Sequence, residues 1–197
     1  MRRPSSKQRR IVILILALLT FFIAYYAGVT QKQHPKTLPL INGVLLDPPL
    51  ALPPINLNNQ AGEAFTNTDL QGHWSLLILD PNPGNSASTA LTRLIQVHNR
   101  LASNPDLQQQ IHYLYLAGNK IEDMAISFTA LSDNIHALDG DRQMLAETFE
   151  ILGGYSDDMQ DTLYLIGPSA KLTALFTRNG NTATIAEDIN KLILAMQ

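Results

Sequence analysis

The feature that most constrains this chain is an uninterrupted apolar run near its amino terminus. The nineteen positions from Ile11 to Val29 carry no charge. As a helix rising about 1.5 Å per residue, the run would be roughly 28 Å long, enough to cross a bilayer core of about 30 Å. The sequence therefore predicts a transmembrane helix over 11–29, so the folded domain must come from the residues that follow it.

The charges around this run predict its orientation. Only Lys32 and Lys36 follow it closely, whereas five basic residues precede it, namely Arg2, Arg3, Lys7, Arg9 and Arg10. The positive-inside rule then puts a basic tail, 1–10, in the cytoplasm. The end of the run, from Ala24 to Gly28, is a poor cleavage site. We expect an uncleaved single-pass anchor in a bacterial inner membrane with a periplasmic domain; a long cleaved signal peptide is the alternative.

The charge and the cysteine count exclude several classes of function. From residue 11 onward the chain has 9 basic and 17 acidic residues, a net charge of −8. Such an acidic body argues against nucleic acid as a partner. The chain has no cysteine. That excludes a disulfide scaffold, thiol redox chemistry, a cysteine nucleophile and a thiolate metal site.

Prolines dominate the segment between the anchor and the domain. Residues 30–54 hold six of the chain's eleven prolines. Proline-rich segments are stiff and extended. The segment is therefore predicted to be a structureless spacer that holds the domain away from the lipid, although residues 38–46 could instead add an edge strand.

From residue 55 to 197 the chain alternates short apolar runs with segments of helical spacing. Strands separated by helices imply parallel pairing, and a closing hairpin adds antiparallel strands, so we predict an α/β domain with a mixed central sheet. A capping box at Thr184 and Glu187 is predicted to open the last helix. The predicted strands are 75–79, 111–117, 135–138, 162–166 and 172–176, and the other predicted helices are 86–101, 121–131 and 141–152.

Several local patterns in this order resemble a known family. They are Ile55-Asn56-Leu57, Gly72-His73-Trp74-Ser75-Leu76-Leu77, the stretch from Ile135 to Asp141, and Thr162-Leu163-Tyr164-Leu165-Ile166-Gly167-Pro168 followed by Leu172. Together they resemble the Sco/SenC family of copper-handling proteins that assist cytochrome c oxidase assembly. The resemblance implies a thioredoxin-like fold. The last pattern departs from the family, which has Asp at Gly167 and Gly at Ala170.

The resemblance also locates the family's copper chemistry, which uses C-x-x-x-C after the first central strand and a histidine before the closing hairpin. The cysteine positions fall on Gly84 and Ser88 in one register, and on Pro83 and Ala87 in the other. The histidine position falls on Met159, beside Asp158. One thioether without a thiolate does not hold copper tightly. We therefore expect no cofactor and no enzymatic activity.

A domain that keeps this fold without the ligands is predicted to act by protein contact, with an oxidase subunit or assembly factor as partner. The helix that starts near Asn85 or Ser86 has free N–H groups that could receive a partner's carboxylate or carbonyl, although an ordinary capped helix is the alternative. The predicted partner-binding edge comprises Pro83, Gly84, Asn85, Ser86, Ser88, Asp158 and Met159.

Other roles stay open. Met124, Met159 or a pair of histidines could bind copper weakly in a carrier or a redox-related enzyme, and the domain could stabilise a complex unrelated to respiration. The five histidines share no metal-ligand spacing on one predicted element, so each is interpreted as structural or surface-exposed. Asp157, Asp158 and Asp161 are predicted to form a solvated turn, with an acidic docking patch as the alternative.

Overall fold

A computed structural model describes residues 18–22, 39–83, 89–121, 123–154, 156 and 159–196. The chain divides into two compact units, Met1–Leu38 and Pro39–Gln197. In the first unit, residues 18–22 are helical. The rest of the predicted span 11–29, and the basic tail 1–10, lie outside the described residues. Among the described residues, no helix combines the length and the apolar character needed to span a membrane.

The second unit contains strands, α-helices and a short 3-10 helix, Asn67–Leu70. The strands are β1 Val44–Ala51, β2 Asn56–Asn59, β3 Ala64–Thr66, β4 Trp74–Asp80, β5 Ile111–Ala117, β6 Ile135–Asp139, β7 Leu163–Gly167 and β8 Lys171–Phe176. The helices are α1 Thr89–Leu101, α2 Pro105–Gln109, α3 Asp123–Thr129, α4 Arg142–Ile151 and α5 Thr182–Met196.

All these strands form one eight-stranded mixed sheet in the order β1-β8-β7-β4-β5-β6-β2-β3. Strands β4, β5 and β6 run parallel, since helices connect them, whereas the β7–β8 hairpin joins antiparallel to β4. The predicted α/β architecture with a mixed central sheet is confirmed. Strand β2 and the hairpin partner β3, which the periodicity did not predict, extend the sheet beyond β6.

The sheet is buried on both faces, so two apolar clusters form. On one face α1, α3 and α5 pack on alternate residues of the central strands, such as Leu76, Ile78 and Tyr113. On the other face α4 and the β2–β3 region cover residues of opposite parity, such as Leu114 and Leu116. Burial on both faces explains why β4 reads as a continuous apolar run.

The spacer prediction is corrected by β1. Residues 44–51 lie within the predicted spacer 30–54, yet they pair with β8 at the edge of the sheet. Pro48 and Pro49 lack a backbone N–H, and the ladder is interrupted between Leu45 and Leu50. The edge-strand alternative fits better, although the strand lies further along the chain than 38–46.

The start of one helix and the buried faces of two others differ from those that the sequence predicts. Helix α5 begins two residues before Thr184, because the Asn181 side chain accepts a hydrogen bond from the Ala183 N–H at 2.8 Å. The predicted capping box at Thr184 is therefore wrong. The helical spacing of Leu91, Leu94 and Ile95 predicts that Val97 lies off the apolar face of α1, yet Val97 is fully buried. The same kind of spacing predicts that Met124 and Leu131 face the core in the predicted helix 121–131, whereas both are exposed.

A buried carboxylate ties the start of the sheet to α5. Asp188 is 0% exposed and accepts a hydrogen bond from the Asn42 backbone N–H at 2.7 Å. The Asn42 side-chain amide lies 3.2 Å from the same oxygen, and the Lys191 ammonium lies 3.7 Å from the other. Since Asn42 immediately precedes the residues that lead into β1, Asp188 fixes where the edge strand joins the domain.

We expect Asp188→Ala to lower the free energy of unfolding by about 2 kcal/mol, because it removes the charged acceptor of the Asn42 N–H. Urea unfolding monitored by circular dichroism measures this loss. The matched control is Glu187→Ala, an exposed neighbour on the same helix, which should change stability by less than about 0.5 kcal/mol. Equal losses in both variants would contradict the role of Asp188.

Candidate functional site

The candidate site lies at the carboxyl ends of β4 and β5, where the chain leaves the sheet towards α1. Open α/β sheets bind ligands at this edge. Asp80 is the last residue of β4, and Thr89 is the first residue of α1. Of the predicted partner-binding edge, Gly84, Asn85, Ser86, Ser88 and Asp158 lie outside the described residues. The structure therefore places only Pro83 and Met159 of that set.

Asp80 organises the described part of this edge. Its side chain is largely buried and accepts a hydrogen bond from the Tyr115 hydroxyl at 2.7 Å. Its other carboxylate oxygen accepts the Asn82 backbone N–H at 3.2 Å. Bonds to a charged acceptor are stronger than neutral ones. The carboxylate therefore links the turn after β4 to the interior of β5.

A close backbone approach fixes the same turn from the β5 side. The Gly118 N–H donates to the Asp80 carbonyl at 2.7 Å. A Cβ atom on Gly118 would collide with the backbone carbonyl of Pro81. Only glycine therefore lets the segment after β5 pass this close to the turn after β4.

Asp161 forms the opposite wall of the site. The Thr89 hydroxyl donates to its carboxylate at 2.9 Å, which links the start of α1 to the turn before β7. The backbone of Asp161 has a φ of 54°, a left-handed conformation that aspartate and asparagine tolerate better than most residues. Asp161 was predicted to lie in a solvated turn; the structure shows that it makes this specific contact.

Arg93 on α1 lies near Asp161 and ties α1 to the chain after β8. Its guanidinium donates to the carbonyls of Arg178 and Thr177 at 2.8 and 2.7 Å. Burial lowers the pKa of Arg93, and the nearby Asp161 carboxylate opposes that shift. These contacts hold α1 against the chain that follows β8.

Between the two walls lies an open cavity of about 150 Å³. Its polar lining consists of carboxylates, amides and a hydroxyl, from Asp80, Asn82, Thr89, Gln160 and Asp161. Such a lining suits a hydrogen-bond donor or a cationic side chain. Among the described residues, no group of three or more histidines, aspartates or glutamates is arranged to hold a metal ion.

The two described members of the predicted edge lie apart from this polar lining. Pro83 is in the turn after β4. Met159 is partly buried against the second apolar cluster, and its Cγ lies 3.2 Å from where a Cβ on Gly153 would stand. The Met159 thioether is thus used in packing. Of the residues that line the cavity, Asp80 could be recognised from the sequence, because it is the polar residue that ends an apolar strand.

Local sequence patterns also did not predict a group of histidines, because its members lie in different segments of the chain. His73, His112 and His136 lie in contact at the other end of the sheet. His98 is separate: its ring packs edge-on against Tyr113 and Phe128. Burial lowers the pKa of His98. His34 lies outside the described residues.

Comparison with solved structures identifies the fold. Yeast Sco1 with copper bound superposes with a TM-score of 0.60 at 18% identity, covering 74% of this chain and 94% of that one. BsSco, a member of the Sco family of cytochrome c oxidase assembly proteins, superposes with a TM-score of 0.57 at 16% identity, covering 76% of this chain and 97% of that one. The thioredoxin domain of a thiol-disulfide oxidoreductase from Bacteroides vulgatus superposes with a TM-score of 0.50 at 11% identity, covering 70% of this chain and 93% of that one.

The chain therefore has the thioredoxin-like fold of the Sco/SenC proteins, and the predicted resemblance is confirmed at the level of the fold. No protein-family model matches the chain. No curated protein matches it in sequence. The similarity to these proteins is one of fold, at 11–18% sequence identity.

We expect Tyr115→Phe to lower the free energy of unfolding by about 1.5–3 kcal/mol, because it removes a buried hydrogen bond to a carboxylate. The control is Tyr113→Phe on the same strand. The Tyr113 hydroxyl is buried and makes no hydrogen bond within the described part of the chain, so its removal should be neutral or stabilising. Chemical denaturation of both variants tests the pair, and a larger loss in Tyr113→Phe would contradict this account of Asp80.

Proposed function

From a Sco-type fold without a single cysteine, we propose a membrane-anchored interaction module that assists cytochrome c oxidase assembly by protein contact. The observation that carries the proposal is the combination of this fold with zero cysteines in the whole chain. The run 11–29 would be the anchor, in a bacterial inner membrane with the amino terminus in the cytoplasm and the domain in the periplasm. The partner would be an oxidase subunit or another assembly factor.

The chemistry of the chain argues against thiol transfer and tight Cu(I) binding. Cu(I) is held by soft sulfur ligands, and thiolate is the strongest of these in proteins. The positions that the resemblance assigns to the family's cysteines hold Gly84 and Ser88, or Pro83 and Ala87. Met159, at the position of the family's histidine, packs against the core. Contact with a partner is the role that this edge can still perform.

The polar cavity beside Asp80 and Asp161 is the part of the edge that we assign to the partner. Its carboxylates and amides would receive donors or a basic side chain from the partner, and the acidic net charge of the domain would favour the approach of such a surface. Tyr115, Gly118 and Thr89 hold these groups in place, so the described part of this edge is formed before a partner binds.

The proposed role is tested on membranes from a strain lacking the gene, by haem a absorbance and terminal oxidase activity, with and without added copper. We expect both signals to fall, copper not to restore them, and the intact gene to restore them. Rescue by copper would instead indicate metal delivery. Normal oxidase in every condition would contradict a role in oxidase assembly.

The proposed edge is tested by complementing that strain with Asp161→Asn. Asparagine tolerates the left-handed backbone and can still accept the Thr89 hydroxyl, so this variant removes the charge and keeps the turn. We expect capture of the oxidase or assembly partner to weaken by about tenfold, equivalent to about 1.4 kcal/mol, with an unchanged unfolding midpoint. Glu187→Ala, an exposed acidic residue on α5, is the matched control. Equal capture by Asp161→Asn and the wild type would contradict this interface.

A further inference from the structure

Three histidines from separate segments meet on one face of the sheet, and we call them the histidine trio: His73, His112 and His136. The rings of His73 and His112 stack with centroids 4.3 Å apart and planes 11° apart. The ring of His136 lies 5.3 Å from that of His112, tilted by 47°. The trio lies near the amino-terminal ends of β4, β5 and β6, at the opposite end of these strands from Asp80.

The strand register brings the trio together. In the parallel pair β4–β5, Ser75 lies opposite His112, and His73 precedes Ser75 by two residues, so both histidines belong to one face. In the pair β5–β6, Leu114 lies opposite His136, which places His136 diagonally beside His112. This is the face that α4 and β3 cover.

The trio lies beside a weakly paired part of the sheet, residues 56–70, which we call the edge segment. Its Phe65 lies against the His136 ring at 5.7 Å, and its Leu70 is 1% exposed. Backbone pairing to the rest of the sheet is short: Asn58 lies opposite Asp139, and Asn59 lies opposite Leu138. Side-chain packing against His136 and the second apolar cluster therefore contributes much of what holds the edge segment in place.

His112 and His136 are suited to the neutral state. His112 Nδ1 and His136 Nε2 are buried and make no hydrogen bond within the described residues. Burial, together with the neighbouring His73 and His136, lowers the pKa of His112 to about 4. Burial also lowers the pKa of His136, although Asp69 on the 3-10 helix opposes this. Within the described part of the chain, these are the charged and titratable groups that act on the two half-buried rings.

We propose that His112 and His136 of the trio form a proton-sensitive contact whose protonation releases the edge segment from β6. A proton on His112 would put a positive charge in a partly desolvated site against a stacked ring, which is unfavourable. Opening of the edge segment removes Phe65 from the His136 ring and lets water reach that charge. It also exposes the buried side chains of Leu57, Phe65 and Leu70, so acidification creates an apolar surface beside β6.

The direction of the effect follows from proton linkage. The closed form has the lower histidine pKa and therefore binds fewer protons than the open form. The extra stability of the closed form relative to the open form is complete above the ordinary histidine pKa of 6.5. It is lost progressively as the pH falls from there towards about 4. If opening restored the ordinary pKa of His112 alone, the opening equilibrium at pH 5 would rise by roughly thirtyfold at most.

Amide hydrogen exchange of the full-length chain at pH 7.5 and pH 5.0 tests the proposal, expressed as protection factors so that the intrinsic pH dependence is removed. We expect protection within the edge segment to fall by about tenfold at pH 5.0, with a much smaller fall in α1. No local fall, or an equal fall in α1, would overturn the proposal.

Two substitutions separate the trio from general acid destabilisation. His112→Gln and His136→Gln should each reduce the difference in edge-segment protection between the two pH values, even where the variant is less stable at both. His98→Gln is the matched control, since His98 belongs to the other face of the sheet and bonds to Gln108. It should keep the full pH difference. A pH difference unchanged in the two trio variants, or abolished in His98→Gln, would contradict the assignment.

Discussion

The structure depends on a central sheet that must be kept from water on both faces. Strands β4, β5 and β7 contain almost no exposed side chain, so neither face can do without a cover. On one face the cover is made of helices, and the polar groups around Asp80 lie at its end, where Asp80 accepts a hydrogen bond from Tyr115. On the other face the cover combines α4 with the edge segment, and the histidine trio lies at its opposite end.

The sequence predicted the parts of the fold that local periodicity controls. Strands buried on both faces read as continuous apolar runs, so the central strands were found almost to the residue. Helix α1 was found, but Val97 was assigned to the wrong side, because the buried face of α1 also includes Ala90 and Val97 and is wider than the spacing of the larger residues predicts. Strand β1 was interpreted as a spacer because its prolines are typical of linkers. Pairing with β8 outweighs that local preference.

The candidate site could be predicted only in part, because its residues come from distant segments. The partner-binding edge that the resemblance implies stays a prediction, whereas Asp80 could be recognised as the polar residue that ends an apolar strand. The contact between Thr89 and Asp161 depends on how α1 lies against the turn before β7, which no local spacing encodes. The histidine trio depends on strand register in the same way: a shift by one residue would send His112 to the other face.

The interrupted ladder of β1 limits strand addition between copies of this domain. An exposed strand at the end of a sheet offers unpaired N–H and C=O groups on which a second chain can add a strand and begin aggregation. Pro48 and Pro49 remove two donors from the middle of β1, and the gap between Leu45 and Leu50 breaks its regular repeat. The outer edge of this sheet is therefore a poor template for further growth, which protects the domain wherever copies accumulate at high local density.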